Sequence, residues 1–427
     1  MGLYRFAGVA SAAAVVVLGV AACTGSTNGT GATGNTSPAG NVSSAPSSSS
    51  SAAAVPAVIT SNPASGSKAL VNPATPITVS VASGQLTSVT LTNPTGKKVT
   101  GELSTDGTSW HTTEDLGYSK TYHLVANAVN SAGVATQQKS SFTTVTPNNL
   151  TMPYMQRMGG YPLTSGATYG VGIIPVIHFD EPITNKAAAE RALHVTTSVP
   201  VVGAWNWIDD QDVHYRPQSY WPAGTKVTVS ANVYGVEVGH GLYGQSDISA
   251  SFTIGARQIT VADDNAPNVD KVRVYRNGVL IKTMNTSMGK HSGEEVNGQW
   301  INFYTLNGTY TVLAHEQPAK MCSASYGLPV NSPGGYACED IYNATKISVD
   351  GIYLHELTTT IWAQDHGYDV SHGCLNLNTA NSLWYFNHST IGDPVEIHAA
   401  KGAPTLQEWE GGDWTIPWST WQKGSAL

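Results

Sequence analysis

Alternation of apolar and polar side chains dominates this chain and predicts short β-strands over most of its length. In residues 77–81 and 122–129, apolar side chains occupy every second position, which is the period of a strand with one buried face. Turn-forming clusters, such as residues 93–96, separate these segments. Patterns typical of long helices are scarce. The sequence therefore predicts a mainly β protein.

Two successive segments carry this strand pattern. Residues 55–147 hold about seven strand-like runs, which is typical of an immunoglobulin-like β-sandwich, here without the cysteine pair of antibody domains. Residues 148–255 repeat the pattern, with a buried-looking strand at 171–177 and a short helix at 186–193. We interpret both segments as immunoglobulin-like domains with a spacer role. Three tryptophans of the second segment either fill its core or form a sugar-stacking platform: Trp205, Trp207 and Trp221.

Residues 256–399 form a third predicted unit, which is also rich in strands. The Asn-Gly pair at 277–278 joins two strand-like runs and indicates a tight hairpin. The pattern over residues 346–355 predicts one strand, in which His355 lies on the face opposite the apolar row. Asn378 is a typical N-cap residue, so a short helix is predicted to begin after it.

The C-terminal residues 400–427 are too few to fold alone. Exposed indoles would promote aggregation, so this tail is predicted to dock on the third unit or on its junction with the second. Ligand stacking is the alternative use of its four tryptophans: Trp409, Trp414, Trp418 and Trp421.

The N-terminal end, residues 1–23, carries a targeting pattern. Arg5 precedes the apolar residues 6–20, a stretch shorter than the ~20 residues of a membrane-spanning helix. The run that ends at Cys23 resembles a bacterial lipobox, whose cysteine is lipidated; the alternative is an ordinary signal peptide with an unused cysteine. Residues 24–54 are rich in Ser, Gly and Thr and predict a disordered tether. We therefore expect an exported lipoprotein at the outer face of the cell membrane, in the cell wall or periplasmic space.

Charge and cysteine content narrow the possibilities further. Charged residues make up 12% of the 427 positions, and the formal net charge is −8. The sequence has no basic cluster, so nucleic acid is not an expected partner. Export places the cysteines where disulfides form. Cys322 and Cys338 are either bridged, closing a loop of ~16 residues that adds roughly 3 kcal/mol of stability, or unpaired.

The strongest candidate for chemistry is the run Ser-His-Gly-Cys-Leu-Asn at residues 371–376. A cysteine with a histidine close in space can transfer acyl groups, because the imidazole takes the thiol proton and the sulfur attacks a carbonyl. Cys374 in this run and His355 upstream are the candidate pair. The positive end of the helix predicted after Asn378 would modestly favour a thiolate at Cys374. Gly373 allows a substrate or another backbone to come close.

This run, with a histidine upstream of its cysteine, resembles the signature of the L,D-transpeptidases, whose catalytic domain is of the YkuD type. Residues 305–310 are similar to the strand and turn before the family's site. Residues 325–336 resemble the flap over it, and residues 411–418 resemble the tail of multidomain members. The resemblance implies two immunoglobulin-like β-sandwich domains, then a β-rich L,D-transpeptidase catalytic domain at residues 256–399 and a short C-terminal tail.

The resemblance also implies roles for single residues. Cys374 is the nucleophile, and His355 is the general base, oriented by the backbone carbonyl of Glu356. Family members often carry a small residue at position 356, so the glutamate is a departure. His372 lines the site and helps to hold the substrate; its alternative is a purely structural histidine.

Oxyanion and substrate contacts follow from the same resemblance. The Tyr336 hydroxyl and backbone N–H groups near Gly373 and Cys374 would bind the developing oxyanion, and such donors typically stabilise a transition state by a few kcal/mol each. A small hydroxyl residue is more usual where this chain has Asp350. Substrate contacts are implied for four residues: Tyr336, Asp350, Gly351 and Asn376.

The implied activity is that of an L,D-transpeptidase acting on peptidoglycan stem peptides. Cys374 attacks the third-position diamino acid of a tetrapeptide, D-alanine leaves, and a second stem resolves the thioester into a cross-link. Carbapenem acylation of Cys374 is implied as well, and no cofactor is. The alternatives are an L,D-carboxypeptidase, with water as acceptor, and a non-enzymatic wall-binding lipoprotein. No metal site is expected, because the spacing of the candidate ligands matches no standard zinc pattern: His355, His366, His372, Cys338 and Cys374.

Overall fold

Strands dominate the structure, a computed structural model that describes residues 55–264 and 268–427. The prediction of a mainly β protein is confirmed, since the helices among the described residues are few and short. None of those helices has the length and apolar character that crossing a bilayer would require. The predicted signal peptide, the lipidation site Cys23 and the tether lie outside the described residues.

The first segment folds as two facing sheets. One sheet has the order β1-β2-β5-β4 and the other the order β3-β6-β7. Alternate residues of both sheets, such as Val79, Leu91 and Leu124, point inward and form one buried core. The strands are β1 (Val58–Asn62), β2 (Thr78–Ala82), β3 (Gln85–Thr92), β4 (Gly101–Leu103), β5 (Ser109–Thr112), β6 (Thr121–Val129) and β7 (Ala135–Thr143).

The second segment has a core of its own, built around Phe179, Trp221 and Val229. Its two larger sheets have the orders β10-β9-β12-β15-β14 and β11-β19-β16-β13, beside a small sheet β17-β18-β8. The strands are β8 (Asn149–Thr151), β9 (Pro153–Arg157), β10 (Tyr161–Pro162), β11 (Thr168–Tyr169), β12 (Pro175–Phe179), β13 (Leu193–Thr197), β14 (Gly203–Trp207), β15 (Asp212–Pro217), β16 (Lys226–Ala231), β17 (Glu237–Gly239), β18 (Leu242–Gly244) and β19 (Ile248–Ile254).

Two elements of this segment differ from prediction. The strand begins at Pro175 rather than at residue 171, because residues 171–174 form a buried turn in which the N–H of Ile173 donates to the carbonyl of Gly170. The helix α1 (Lys186–Arg191) follows the N-cap Asn185. It stops before residue 193, since Leu193 begins the next strand.

The tryptophans of the second segment belong to its core. Trp205, Trp207 and Trp221 are 7%, 9% and 1% exposed. The indole N–H of Trp207 donates to Glu190, and that of Trp221 donates to the carbonyl of Ile173. Their polar edges are therefore satisfied internally, and the sugar-platform interpretation is wrong for these three residues.

The third segment carries the sheets that position the candidate site. A five-stranded sheet β22-β21-β20-β32-β25 packs with a four-stranded sheet β26-β29-β30-β31 around a common core, beside the pairs β23-β24 and β27-β28. The elements are β20 (Gln258–Asp263), β21 (Asp270–Arg276), β22 (Val279–Thr286), β23 (Gly293–Val296), β24 (Gln299–Asn302), β25 (Gly308–Thr311), β26 (Ala314–Glu316), β27 (Ala319–Met321), β28 (Glu339–Ile341), β29 (Ala344–Lys346), β30 (Tyr353–Glu356), α2 (Ile361–His366), β31 (Leu375–Leu377), α3 (Thr379–His388) and β32 (Pro394–His398).

Two elements predicted in this segment have different outcomes. The hairpin predicted at residues 277–278 is confirmed, since β21 and β22 pair antiparallel and Asn277 and Gly278 have φ of 51° and 81°. The single strand predicted over residues 346–355 is wrong. A turn through Gly351, with φ of 104°, divides it into β29 and β30.

The C-terminal tail packs on both the second and third segments. Thr415 accepts a hydrogen bond from the N–H of Thr309, and the indole of Trp421, in the helix α4 (Trp418–Trp421), donates to the carbonyl of Ala204. Burial in the tail is uneven, because Trp421 is fully buried whereas Trp409 is 70% exposed. The tail therefore lies at the junction of the third segment with the second, one of the two docking places named from the sequence.

Candidate active site

His355 and Cys374 line the same cavity because their strands are neighbours. β30 and β31 pair parallel, with Leu354 opposite Leu375 and His355 opposite Asn376. Adjacent strands lie about 4.8 Å apart, so residues far apart in sequence become side-chain neighbours here. Cys374 directly precedes β31, and both side chains line one cavity. We call it the first cavity; it is lined among others by Tyr336, His355, Thr360, Val370, Cys374 and Asn376.

The imidazole of His355 is held as a neutral base. Its Nδ1 lies 2.9 Å from the carbonyl oxygen of Glu356. A carbonyl can only accept, so Nδ1 carries the proton and Nε2 keeps its lone pair. The side chain is 4% exposed. Burial lowers the pKa of His355, and the hydrogen bond to the Glu356 carbonyl offsets only part of that effect.

The carboxylate of Glu356 takes no part in this contact. Its two oxygens accept from the side-chain amide of Asn343 and the hydroxyl of Thr379, at 2.8 and 2.7 Å. The departure from the family's small residue therefore leaves the orienting carbonyl in place.

Cys374 is a protonated thiol at rest. Burial raises its pKa to about 12, the backbone of Tyr353 lowers it, and the charge of Asp350 raises it further. The thiol lies 3.8 Å from the carbonyl of Gly351, its hydrogen-bond acceptor. The helix predicted after Asn378 does form, and Asn378 accepts from the N–H of Asn381. It begins beyond β31, and burial has the larger influence on the thiol, whose pKa is raised.

The segment before the thiol is fixed from two sides. Thr305 donates to the carbonyl of Gly373 at 2.8 Å, and the Ser371 hydroxyl donates to the carbonyl of Cys374 at 2.6 Å. Gly373 has φ of 132°, and a Cβ there would lie 2.6 Å from the side chain of Ile352. Only glycine fits this position. Sequence reasoning gave no role to Thr305 or to the Ser371 hydroxyl.

The expected oxyanion donors are not equivalent. The N–H of Gly373 already donates to the hydroxyl of Ser371, at 3.0 Å. The N–H of Cys374 and the hydroxyl of Tyr336 are therefore the better candidates. Burial raises the pKa of Tyr336, which keeps its phenol protonated and able to donate.

Tyr336 sits on a flap that is fastened at both ends. Its N–H donates to the hydroxyl of Ser323, and that hydroxyl donates to its carbonyl, at 2.9 and 2.8 Å. Cys322 and Cys338 form a disulfide that closes the flap, while Cys374 is a free thiol. The sequence offered no signal for Ser323, because its role depends on a contact across the flap.

His372 also lines the first cavity, and its ring faces the flap. Its ring packs edge-on against Phe303, with centroids 4.6 Å apart, and lies 5.4 Å from the Tyr336 ring. Burial and the nearby Lys290 ammonium lower the pKa of His372. The structure thus gives the thiol one histidine with an orienting carbonyl and a second, neutral histidine against the flap.

The remaining predicted contacts lie in different places. Asn376 is 1% exposed, lines the first cavity, and its side-chain amide has no hydrogen-bond partner. Asp350 and Gly351 line a second cavity, which also contains Trp300, Lys320, Tyr326, Tyr336, His372 and Cys374. The two cavities therefore share the thiol, and a buried, unpartnered amide points to a ligand in the first.

A possible metal group lies outside both cavities. Single ligand atoms of Asp264, His291 and Asp369 lie within 4.8 Å of one another. His291 Nε2 is 2.7 Å from an Asp264 oxygen and 3.4 Å from an Asp369 oxygen. An imidazole N–H between two carboxylates accounts for this arrangement without an ion.

Comparison with known proteins gives the chain its relatives. The family model of the bacterial Ig domain matches residues 68–237, and that of the L,D-transpeptidase catalytic domain matches residues 262–397. L,D-transpeptidase 2 of Mycobacterium tuberculosis (strain CDC 1551 / Oshkosh) is 42% identical over 352 residues, which are 82% of this chain and 81% of the relative.

Two further relatives are more distant. L,D-transpeptidase 5 of Mycobacterium tuberculosis (strain ATCC 25618 / H37Rv) is 35% identical over 365 residues, which are 84% of this chain and 75% of the relative. A solved structure of LD transpeptidase LdtMt1 in complex with imipenem is 30% identical, covers 57% of this chain and 99% of its own, and has a TM-score of 0.46. By the extent and identity of the match to L,D-transpeptidase 2, this chain belongs to the L,D-transpeptidase family.

Proposed function

We propose that this L,D-transpeptidase cross-links peptidoglycan stem peptides through a thioester on Cys374. One observation carries the proposal: Cys374, the unprotonated Nε2 of His355 and the unpartnered amide of Asn376 line one cavity. The amide groups of a bound peptide would satisfy Asn376, and the nearby imidazole would activate the thiol.

The first half-reaction forms the acyl-enzyme. The sulfur of Cys374 bonds to the carbonyl carbon of the third-position diamino acid while His355 Nε2 accepts the thiol proton. The N–H of Cys374 and the hydroxyl of Tyr336 donate to the oxyanion. The C–N bond to D-alanine then breaks, and the imidazolium returns its proton to the departing amine. Because both groups are neutral at rest, proton transfer accompanies attack rather than preceding it.

The second half-reaction consumes the thioester. The side-chain amine of another stem attacks the same carbonyl, His355 accepts the excess proton, and the C–S bond breaks. The product is an amide between two third positions, and the proton returns to the sulfur. The side chains perform each step, so the scheme uses no cofactor.

The two cavities favour transpeptidation over hydrolysis. Both are lined by Tyr336, His372 and Cys374, so a donor and an acceptor can approach the same sulfur from different sides. A carboxypeptidase would need room only for a water molecule in the second cavity, not for an acceptor peptide. We assign His372 and Asp350, with Gly351, to substrate positioning along these cavities.

Location and domain roles belong to the same proposal. Residues 1–23 act as a lipoprotein signal peptide, Cys23 carries the lipid, and residues 24–54 form the tether. The sandwiches at residues 55–147 and 148–255 then hold the catalytic unit, residues 256–399, at a distance from the membrane, while the tail at 400–427 fastens it to the second sandwich.

The test is intact mass spectrometry of the ectodomain with a tetrapeptide stem or a carbapenem. One adduct per chain is expected on the wild type and none on Cys374→Ala. The Cys322→Ser/Cys338→Ser double variant is the matched control and should keep its adduct, since those sulfurs are not the nucleophile. An adduct on Cys374→Ala would overturn the assignment. Dimeric muropeptides among the products support transpeptidation, and tripeptide alone supports hydrolysis.

A further inference from the structure

Three aromatic rings form an exposed stack beside the first cavity. The ring centroid of Trp362 lies 4.7 Å from that of His366, at an interplanar angle of 15°. It lies 4.9 Å from that of Tyr368, at an interplanar angle of 26°. Trp362 is 60% exposed and Tyr368 55% exposed. We call these three residues the aromatic stack. Trp300 of the same segment is also exposed, at 66%, so the stacking of three rings, rather than exposure alone, distinguishes this surface.

Exposed apolar residues extend the same surface. Ile361 precedes Trp362 in α2 and is 39% exposed, and Val370 follows Tyr368 and is 42% exposed. Exposed apolar and aromatic side chains that are close in sequence around a ring stack are typical of binding sites. The aromatic stack is therefore a candidate binding surface rather than part of the fold's core.

The stack is held rigidly from below. Gln364, on the inner side of α2, is 1% exposed and donates to the carbonyl of Leu357 and the hydroxyl of Thr360, both at 3.0 Å. Asp365 accepts from the side-chain amide of Asn285 at 2.7 Å. A surface that is already ordered loses little conformational entropy when a ligand binds.

The stack is continuous with the catalytic cavity. Thr360, immediately before α2, and Val370, two residues after Tyr368, both line the first cavity together with Cys374 and His355. A molecule that occupies the first cavity and extends past these two residues meets the aromatic rings next. The chemical group attached to the bound peptide is therefore the expected occupant of the aromatic stack.

We propose that the aromatic stack binds the glycan strand that carries the stem peptide entering the first cavity; this rests on the proposed function. The apolar C–H face of a pyranose ring packs on flat aromatic surface, while the sugar hydroxyls stay hydrated or meet the Tyr368 hydroxyl and the His366 ring. The stem is covalently joined to a sugar, so filling the cavity brings a pyranose to its mouth. The stack therefore favours glycan-linked over free stem peptides.

The experiment compares two donor substrates on the wild-type ectodomain, a free tetrapeptide stem and the same stem joined to its disaccharide. We expect a lower KM for the disaccharide form. Trp362→Ala and Tyr368→Ala should each raise KM for that form by about five- to tenfold, since an aromatic contact contributes modestly to binding. Turnover of the free stem should not change. Trp362→Tyr, which keeps a flat ring, should restore much of the preference.

The matched control is Tyr154→Ala, which removes an exposed tyrosine, 45% exposed, that lies beside His178 on the second sandwich. It should leave both substrates unaffected. Equal KM values for the two substrates on the wild type would overturn the proposal without any variant. An equal loss on both substrates in the stack variants would also contradict it. Absence of turnover with either substrate on the wild type would instead count against the proposed transpeptidase function.

Discussion

His214 and His355 are two largely buried histidines of the same chain with opposite electrostatic behaviour. His214, on β15 of the second sandwich, is 13% exposed in its side chain and pairs with Asp413 at 2.8 Å. Burial is the largest single influence and lowers its pKa, but the charge and hydrogen bond of Asp413, together with the charges of Asp212 and Glu408, outweigh it, so the pKa of His214 is raised. His355, on β30, has only a neutral carbonyl at its Nδ1, and burial lowers its pKa.

The partner, not the burial, decides what each histidine can do. A carboxylate at the ring holds the proton on His214, and the ion pair joins the tail to the second sandwich. A carbonyl fixes the ring of His355 equally well but leaves Nε2 free to take a proton from a thiol. Both shifts are expected from elementary electrostatics once the partner is known. The comparison distinguishes His214, which pairs with a carboxylate and joins two segments, from His355, which we propose to be the base.

The largest expected effect follows from removing the reacting histidine. His355→Ala should slow acylation of Cys374 by about 10²- to 10⁴-fold, because the thiol, with a pKa of about 12, loses the base that accepts its proton. The measurement is the rate of adduct formation by stopped-flow or mass spectrometry. Exogenous imidazole should restore part of the rate, which a purely structural defect would not allow.

Glu356→Gln is the matched control for that variant. It keeps the backbone carbonyl that orients His355; its one amide oxygen can still accept from Asn343, and its NH2 group can donate to the hydroxyl of Thr379. We expect an acylation rate within about twofold of the wild type, since the contacts replaced are partly exposed and weak. A loss comparable with that of His355→Ala would mean that the carboxylate, rather than the carbonyl, supports the base.

The second expected effect is on stability and concerns His214, which pairs with Asp413. His214→Ala leaves Asp413, which is 0% exposed, without its cation and should destabilise the folded ectodomain by about 3–5 kcal/mol. Denaturant unfolding followed by tryptophan fluorescence would measure it, since Trp414 and Trp421 report on the tail. The acylation rate per folded molecule should be nearly unchanged.

His178→Ala is the control for this stability effect. His178 also pairs with an aspartate, Asp212 at 2.9 Å, but the two side chains are 31% and 29% exposed. Solvent-screened pairs contribute about 0–1 kcal/mol, so this variant should unfold close to the wild type. Similar losses in the two variants would contradict the distinction between a buried and a screened pair.

Much of the fold is predictable from the sequence because its signals are local. Alternation over residues 77–81 and 122–129 follows from one buried face per strand, and the Asn277-Gly278 turn follows from its positive φ angles. The failures at residues 171–177 and 346–355 have one cause. Both runs are apolar enough for a strand, but a turn interrupts each, and an apolar pattern does not register a buried turn.

The candidate site divides in the same way. The motif at residues 371–376 predicts Cys374 as the nucleophile, and the strand pattern upstream indicates His355 as its partner. The raised pKa of Cys374 depends on burial by residues remote in sequence, so no local pattern reports it. The same holds for Thr305 and Ser323, which act only through contacts across the fold.

The smallest effect is the pH dependence of stability, in which the two histidines act in opposite directions. The raised pKa of His214 means that its stabilisation is fully present below the unfolded value of about 6.5 and is lost as the pH rises through the raised pKa. The lowered pKa of His355 means that its contribution is complete above about pH 6.5 and is lost as the pH falls through the lowered pKa.

Denaturation midpoints measured across this range for the wild type, His214→Gln and His355→Gln would separate the two contributions. His214→Gln should remove part of the stability decline on the alkaline side, and His355→Gln part of the decline on the acid side. If both substitutions flattened the same side of the profile, the two rings would share one kind of partner. The contrast between a carboxylate at one ring and a carbonyl at the other would then not explain their chemistry.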